Sequence, residues 1–154
     1  MISRNHVLSG LFITTCGLLL VNTGFAMSPQ TVRVQIDHGI PYVSGGVSLD
    51  EQQMLRDMTQ DDNIQLIFAA KNGDYLSDVT VQIVDARGHE VLNTVTQGPW
   101  LFTKLPAGTY TIRATIKGQS QGAMFTTPAA GQARIYLTWS NDILKIPNYG
   151  IAKE

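Results

Sequence analysis

Cysteine is almost missing from this chain. Its 154 residues include one, Cys16, inside an N-terminal apolar run. One cysteine cannot form an intrachain disulfide, and past that run no thiol can serve as nucleophile or metal ligand. Histidine is scarce too, limited to His6, His38 and His89. The sequence has no Gly-x-Ser-x-Gly, no His-Glu-x-x-His, no P-loop and no dinucleotide fingerprint. Charge is sparse as well: 15% of residues are charged, the formal net charge is −1, and the basic residues are scattered. That pattern lacks the basic cluster of a nucleic-acid-binding surface. No apolar run reaches the roughly 20 residues that a membrane-spanning helix needs.

The first 26 residues read as an export signal. Arg4 and His6 make a short polar start, and Val7 to Val21 is mostly apolar. Asn22-Thr23-Gly24-Phe25-Ala26 then places small residues where a signal peptidase cuts. Cleavage after Ala26 is expected, leaving residues 27–154 in the periplasm or outside the cell. Thr15 precedes Cys16 where a lipoprotein signal has a smaller residue, so a lipid anchor is not expected.

The remaining chain is dominated by short alternating segments. The clearest is Thr109 to Lys117, where Tyr110, Ile112, Ala114 and Ile116 share one face of a strand. Thr109, Thr111, Arg113, Thr115 and Lys117 share the other, so one side is buried and one wetted. Pro106 and Gly108 punctuate its start. Tyr110 is placed to return its hydroxyl to the preceding backbone, as in a tyrosine corner. Similar alternation predicts strands over 64–70, 79–84, 90–96, 100–102, 121–126 and 133–139. Asp85-Ala86-Arg87-Gly88 predicts a type I turn joining two of them, and Asn72-Gly73 marks another turn. Upstream, Thr31 to Ile36 alternates as a further strand, and Gly45-Gly46 signals a turn or a close backbone approach. Ser48-Leu49-Asp50-Glu51 fits a capping box, predicting a short helix over about 49–58 with Met54, Leu55 and Met58 on its apolar side. The expected organisation is a signal (1–26), an N-terminal segment carrying the helix (27–62), a sandwich domain (63–139) and a tail (140–154).

Several of these motifs occur together in a recognisable order. The Asp85–Gly88 hairpin is followed by Gly98-Pro99-Trp100-Leu101-Phe102 and then Leu105-Pro106-Ala107-Gly108-Thr109-Tyr110-Thr111-Ile112. Over about Asn63 to Trp139 this resembles the carboxypeptidase regulatory-like domains. Tyr42-Val43-Ser44-Gly45-Gly46-Val47-Ser48-Leu49-Asp50-Glu51-Gln52 looks like the N-terminal signature of a subgroup of small exported bacterial proteins. The resemblance implies an all-β fold: an antiparallel, seven-stranded transthyretin-like β-sandwich, here with one short N-terminal helix. It also implies a non-catalytic accessory or interaction role.

Function is read from the same residues. The leading expectation is an exported, non-catalytic binding module of the bacterial envelope. It would need no cofactor and no metal, and would hold an envelope protein or polysaccharide on a sheet face or at an edge strand. Trp100, Arg113, Arg134 and Tyr136 are the candidate ligand-binding residues. Trp100 and Tyr136 are taken as the exposed aromatics, with Phe102 and Trp139 in the core. One alternative is a carbohydrate-binding accessory domain. The other is a small hydrolase of the transthyretin-related type using the loop near His38. Adjacent strand residues point apart, so Asp37 and His38 are not expected to cooperate. The tail, Asn148 to Glu154, lacks the Tyr-Arg-Gly-Ser ending of the transthyretin-related hydrolases. Asp61, Asp62, Asp74 and Asp78 lie at strand ends, where Asp commonly bonds its own backbone, and calcium held between two such loops is a further possibility.

Overall fold

Strand alternation and one capped helix build two sheets. The computed structural model describes residues 32–145; residues 1–31, where an export signal is expected, and residues 146–154 of the tail lie outside the described residues. The strands are β1 (Gln35–Asp37), β2 (Ile40–Gly45), β3 (Ile64–Ala70), β4 (Thr80–Asp85), β5 (Glu90–Val95), β6 (Trp100–Thr103), β7 (Thr109–Ile116), β8 (Gln119–Thr126) and β9 (Ala133–Trp139). Helix α1 covers Leu49–Met58, and a 3-10 turn covers Asn141–Lys145. One sheet has the order β1-β2-β6-β3-β9 and the other β5-β4-β7-β8. The fold is therefore an all-β sandwich with one helix.

Nine strands are present among the described residues, not seven, and one pairing departs from the antiparallel expectation. The chain leaves β8 in one sheet and enters the other as β9. There it lies alongside β3 in parallel, with Gln65 opposite Arg134 and Ile67 opposite Tyr136. The two extra strands come from the N-terminal segment. His38 (φ 48°) and Gly39 (φ 80°) form a two-residue turn, and Asp37 pairs with Ile40 across it. Positive φ at both central residues matches the twist of a tight hairpin. Glycine is at ease in that conformation, and histidine is one of the few other residues enriched there. The glycine pair marks the end of β2, as expected: Gly45, its last residue, pairs with Trp100 of β6, and Gly46 (φ 93°) turns the chain away from the sheet. Residues 35–45 thus belong to the same sheet as β3, and position 62 does not separate two folded pieces.

The strand over 109–116 follows its alternation. Tyr110, Ile112, Ala114 and Ile116 are buried between the sheets, with Val81, Ile83, Leu92, Leu66, Phe68, Leu137 and Trp139. Tyr110 donates its hydroxyl to the Pro106 carbonyl at 2.9 Å, which closes the expected corner. The Asp85–Gly88 turn also forms, the Gly88 N–H donating to the Asp85 carbonyl at 2.9 Å.

Strands β3 and β6, inside the β1–β9 sheet, are buried on both faces. Ile64, Leu66 and Phe68 of β3 face the other sheet. Ile67 faces outward into a second apolar cluster with Val32, Val43, Leu55, Trp100 and Phe102. Helix α1 covers this face. Ser48 caps it by accepting from the Glu51 N–H at 3.2 Å, while the Glu51 carboxylate accepts from the Val47 N–H at 2.9 Å. The first bond satisfies an orphan donor of the helix, and the second ties Glu51 back to the residue before the cap. Its buried side is Gln52 and Leu55, followed by Thr59 at the C-cap. Met54 and Met58 are 50% and 46% exposed, contrary to the expected face. Gln52 takes an inward position because its amide has a partner, the Gly46 carbonyl at 2.9 Å. Complete burial of Leu55 contributes about 1.5–3 kcal/mol to docking the helix.

Candidate functional site

A groove opens beside the helix, on the outer face of the β1–β9 sheet. It is lined by Arg56, Gln65, Ile67, Tyr75, Trp100, Phe102, Gln132, Arg134 and Tyr136, with a volume of about 130 Å³. Strand register arranges most of it. Phe102, Gln65 and Arg134 form one row across β6, β3 and β9, and Trp100, Ile67 and Tyr136 form the next. Side chains two apart on a strand point the same way, so both rows face the helix layer. The buried members make a floor of Trp100, Phe102, Ile67 and Gln65. The exposed members, Arg56, Tyr75, Arg134 and Tyr136, make the rim.

The rim is held in place. The Arg56 guanidinium lies 5.1 Å from the centre of the Trp100 ring, within range of a cation–π interaction. Tyr75 meets the same indole edge-on at 6.4 Å, and Trp100 meets Phe102 edge-on at 6.1 Å. Gln132 ties the start of β9 to the end of the helix, donating to the Thr59 and Asp62 carbonyls at 3.3 and 3.1 Å.

Polar groups in the groove are left unsatisfied by the chain. Gln65 is 4% exposed, and its side-chain amide, which has no hydrogen-bond partner among the described residues, keeps its remaining access to the groove. The Trp100 indole N–H is fully buried and also unpartnered. A buried polar group without a partner costs about 1–3 kcal/mol. The Arg134 guanidinium forms no ion pair or hydrogen bond among the described residues. No Asp or Glu lines the groove. It combines two guanidinium groups, two amides and aromatic walls.

The four residues singled out from sequence divide between two surfaces. Trp100, Arg134 and Tyr136 line this one groove. Arg113 is exposed on the other sheet, between Gln82 and Gly122, and does not join them. Tyr136 is 63% exposed, but Trp100 is only 5% exposed, because the helix layer covers a face that an ordinary sandwich leaves to solvent. Phe102 is buried as expected, though under the helix and not between the sheets. Trp139 lies in the inter-sheet core and donates its indole N–H to the Gln119 carbonyl at 3.0 Å, linking β9 to β8. Arg56, Gln65, Tyr75 and Gln132 were not foreseen. Gln65 had a readable signal: it is the one polar residue in Ile64–Ala70, a run apolar on both faces, as expected of a strand covered on both sides.

Asp37 and His38 are brought together, against the expectation that they point apart. His38 is in the left-handed turn and not in the strand, so its Nδ1 reaches the Asp37 carboxylate at 2.9 Å. The Asn93 backbone N–H donates to the same carboxylate at 2.7 Å. The His38 hydrogen bond holds the Asp37 carboxyl below its ordinary range, aided by Asn93. The same bond raises the His38 pKa, and the Asp37 charge adds to it. The pair caps an exposed turn and its residues are not part of the groove. Asp62, beside the end of the helix, is raised because burial disfavours its charged form. Among the described residues, no three His, Cys, Asp or Glu side chains are grouped so as to hold a metal ion. None of the described helices is long and apolar enough to cross a membrane.

No family model matches this sequence, and no curated protein matches it significantly.

Proposed function

We propose that the chain is an exported, non-catalytic binding module of the bacterial envelope, and that the groove beside α1 receives its ligand. The buried, unpartnered Trp100 indole N–H carries this reading. A group enclosed to that degree normally finds a hydrogen-bond partner within the protein. It belongs to a concave site in which the Gln65 amide and an unpaired guanidinium, Arg134, stand at paired register positions on the neighbouring row. Convergent polar groups in an aromatic-walled groove are the usual make-up of a binding site. The domain type we assign is carboxypeptidase regulatory-like. In support, β3 to β9 alone make seven strands, three facing four, with β1, β2 and α1 as additions.

The test is recovery of partners from the envelope fraction by the full chain and by an Arg134→Ala/Tyr136→Ala double variant. The parent should retain a partner that the double variant loses, and Arg113→Ala, altered on the opposite sheet, should behave as the parent. Equal recovery by parent and double variant removes the groove from consideration. Export is tested separately by fractionation and N-terminal sequencing, with Met27 as the expected first residue.

The Asp37–His38 contact favours one alternative, a small hydrolase in which the carboxylate orients the imidazole. His38→Ala would then abolish ester or amide hydrolysis by the purified protein. Activity unchanged by that substitution ends the alternative.

A further inference from the structure

The groove has a definite chemistry, and it narrows the ligand. Every charged residue lining it is cationic: Arg56 and Arg134. Arg56 is held over the Trp100 ring, while Arg134 stands opposite Gln65 with no partner among the described residues. An unpaired guanidinium and an unpaired amide at paired register positions present several N–H donors to the same groove. A carboxylate accepts such donors in pairs, and the planar fork of arginine matches its two oxygens. The volume sets the second constraint. A cavity of about 150 Å³ admits one benzene-sized ring, and this groove, at about 130 Å³, takes one six-membered ring resting partly in the open. Tyr75 and Tyr136 stand on the rim as flat apolar surfaces, the Gln65 amide offers both donors and an acceptor, and Gln132, whose N–H groups are bonded to backbone carbonyls, offers its acceptor. A pyranose ring has an apolar C–H face for an aromatic wall and hydroxyls for amides.

Resting on the reading of this groove as the binding site, we infer that its ligand is an acidic sugar: a pyranose carrying a carboxylate, presented by a polysaccharide. The carboxylate meets Arg134 and the Gln65 amide, and the ring lies against Tyr136. A peptide is the less favoured occupant. Peptides added to a sheet use the unpaired backbone of an edge strand, whereas the groups converging here are side chains on the sheet face.

Calorimetric titration of the full chain with oligogalacturonate, oligoglucuronate and alginate oligomers tests this, each beside its carboxyl methyl ester. The acid form of at least one should bind. Its methyl ester should bind at least about tenfold more weakly, as expected when a charge-assisted pair is lost. Arg134→Ala should weaken the acid about tenfold and leave the ester unchanged. Arg134→Lys, which keeps the charge but not the fork, should recover only part of the affinity. Circular dichroism of each variant confirms that it is folded. Equal affinity for acid and ester overturns the carboxylate assignment while leaving the groove as a binding site. No binding by any sugar, alongside partner recovery that still depends on Arg134 and Tyr136, overturns the sugar and points to a protein ligand. No binding together with groove-independent recovery overturns both this inference and the reading beneath it.

Discussion

Gly98→Ala should be among the most damaging single-atom additions to this protein. A Cβ built on Gly98 would stand 2.4 Å from the Gly45 carbonyl oxygen and 2.5 Å from its carbon. The closest comfortable C···O approach is about 3.3 Å, so the two chain segments would have to separate by about 0.9 Å. Nothing flexible can absorb this, because both contacts are backbone. Gly45 pairs with Trp100 at the end of β2, and the Gln97 N–H donates to the Ser44 hydroxyl at 2.9 Å. Opening the segments by that amount carries such bonds past the distance at which a hydrogen bond counts. Two lost hydrogen bonds at about 1 kcal/mol each, with overpacking strain of at least about 1 kcal/mol, give about 3 kcal/mol. For a domain of this size the melting temperature should fall by about 10–15 °C. Urea unfolding followed by tryptophan fluorescence measures the change, with the m-value showing whether the unfolding remains comparable. Gly73→Ala is the control. Its Cβ meets nothing within 4 Å, and only the φ of +96° penalises it, at about 1–2 kcal/mol. If Gly98→Ala is no worse than Gly73→Ala, the close approach of the two segments is refuted.

Other perturbations separate the remaining parts of the argument. Tyr110→Phe keeps the buried ring and removes only the bond to the Pro106 carbonyl, so it should cost about 1 kcal/mol in urea unfolding. Leu55→Ala empties a fully buried position under the helix and should cost about 2–5 kcal/mol, with increased hydrogen exchange in residues 49–58. The turn pair predicts a pH signature. The His38 pKa is raised in the folded state, so its stabilising contribution is complete below the ordinary histidine value of about 6.5 and is lost as pH rises through the folded value. The Asp37 pKa is lowered, so its contribution is complete above the ordinary carboxylate range and is lost as pH falls through its folded value. Asp37→Asn should therefore move the His38 midpoint downward in a proton NMR titration; an unmoved midpoint would show that the two side chains are not paired.

Local signals determined a good deal of this protein. Ser48 and Glu51 mark the start of α1 because their side chains bond the backbone within one turn. The 110–116 alternation dictates which face of β7 is buried, since strand side chains cannot do otherwise than alternate. Pro106 and Tyr110 define a corner four residues wide. Three of the groove residues, Trp100, Arg134 and Tyr136, were legible as polar-aromatic members of two strands. What the tertiary structure alone decided depends on contacts between distant segments. The parallel placement of β9 beside β3 puts Arg134 against Gln65 and Tyr136 against Ile67, and it sends Arg113 to the opposite sheet. The burial of Trp100 results from a helix more than forty positions earlier in the chain. The meeting of Asp37 with His38 depends on the left-handed turn at His38 and Gly39, which takes the imidazole out of strand alternation. Alternation specifies that a strand has two faces; what covers each face is chosen by strand order and layer packing, and those are properties of the whole fold.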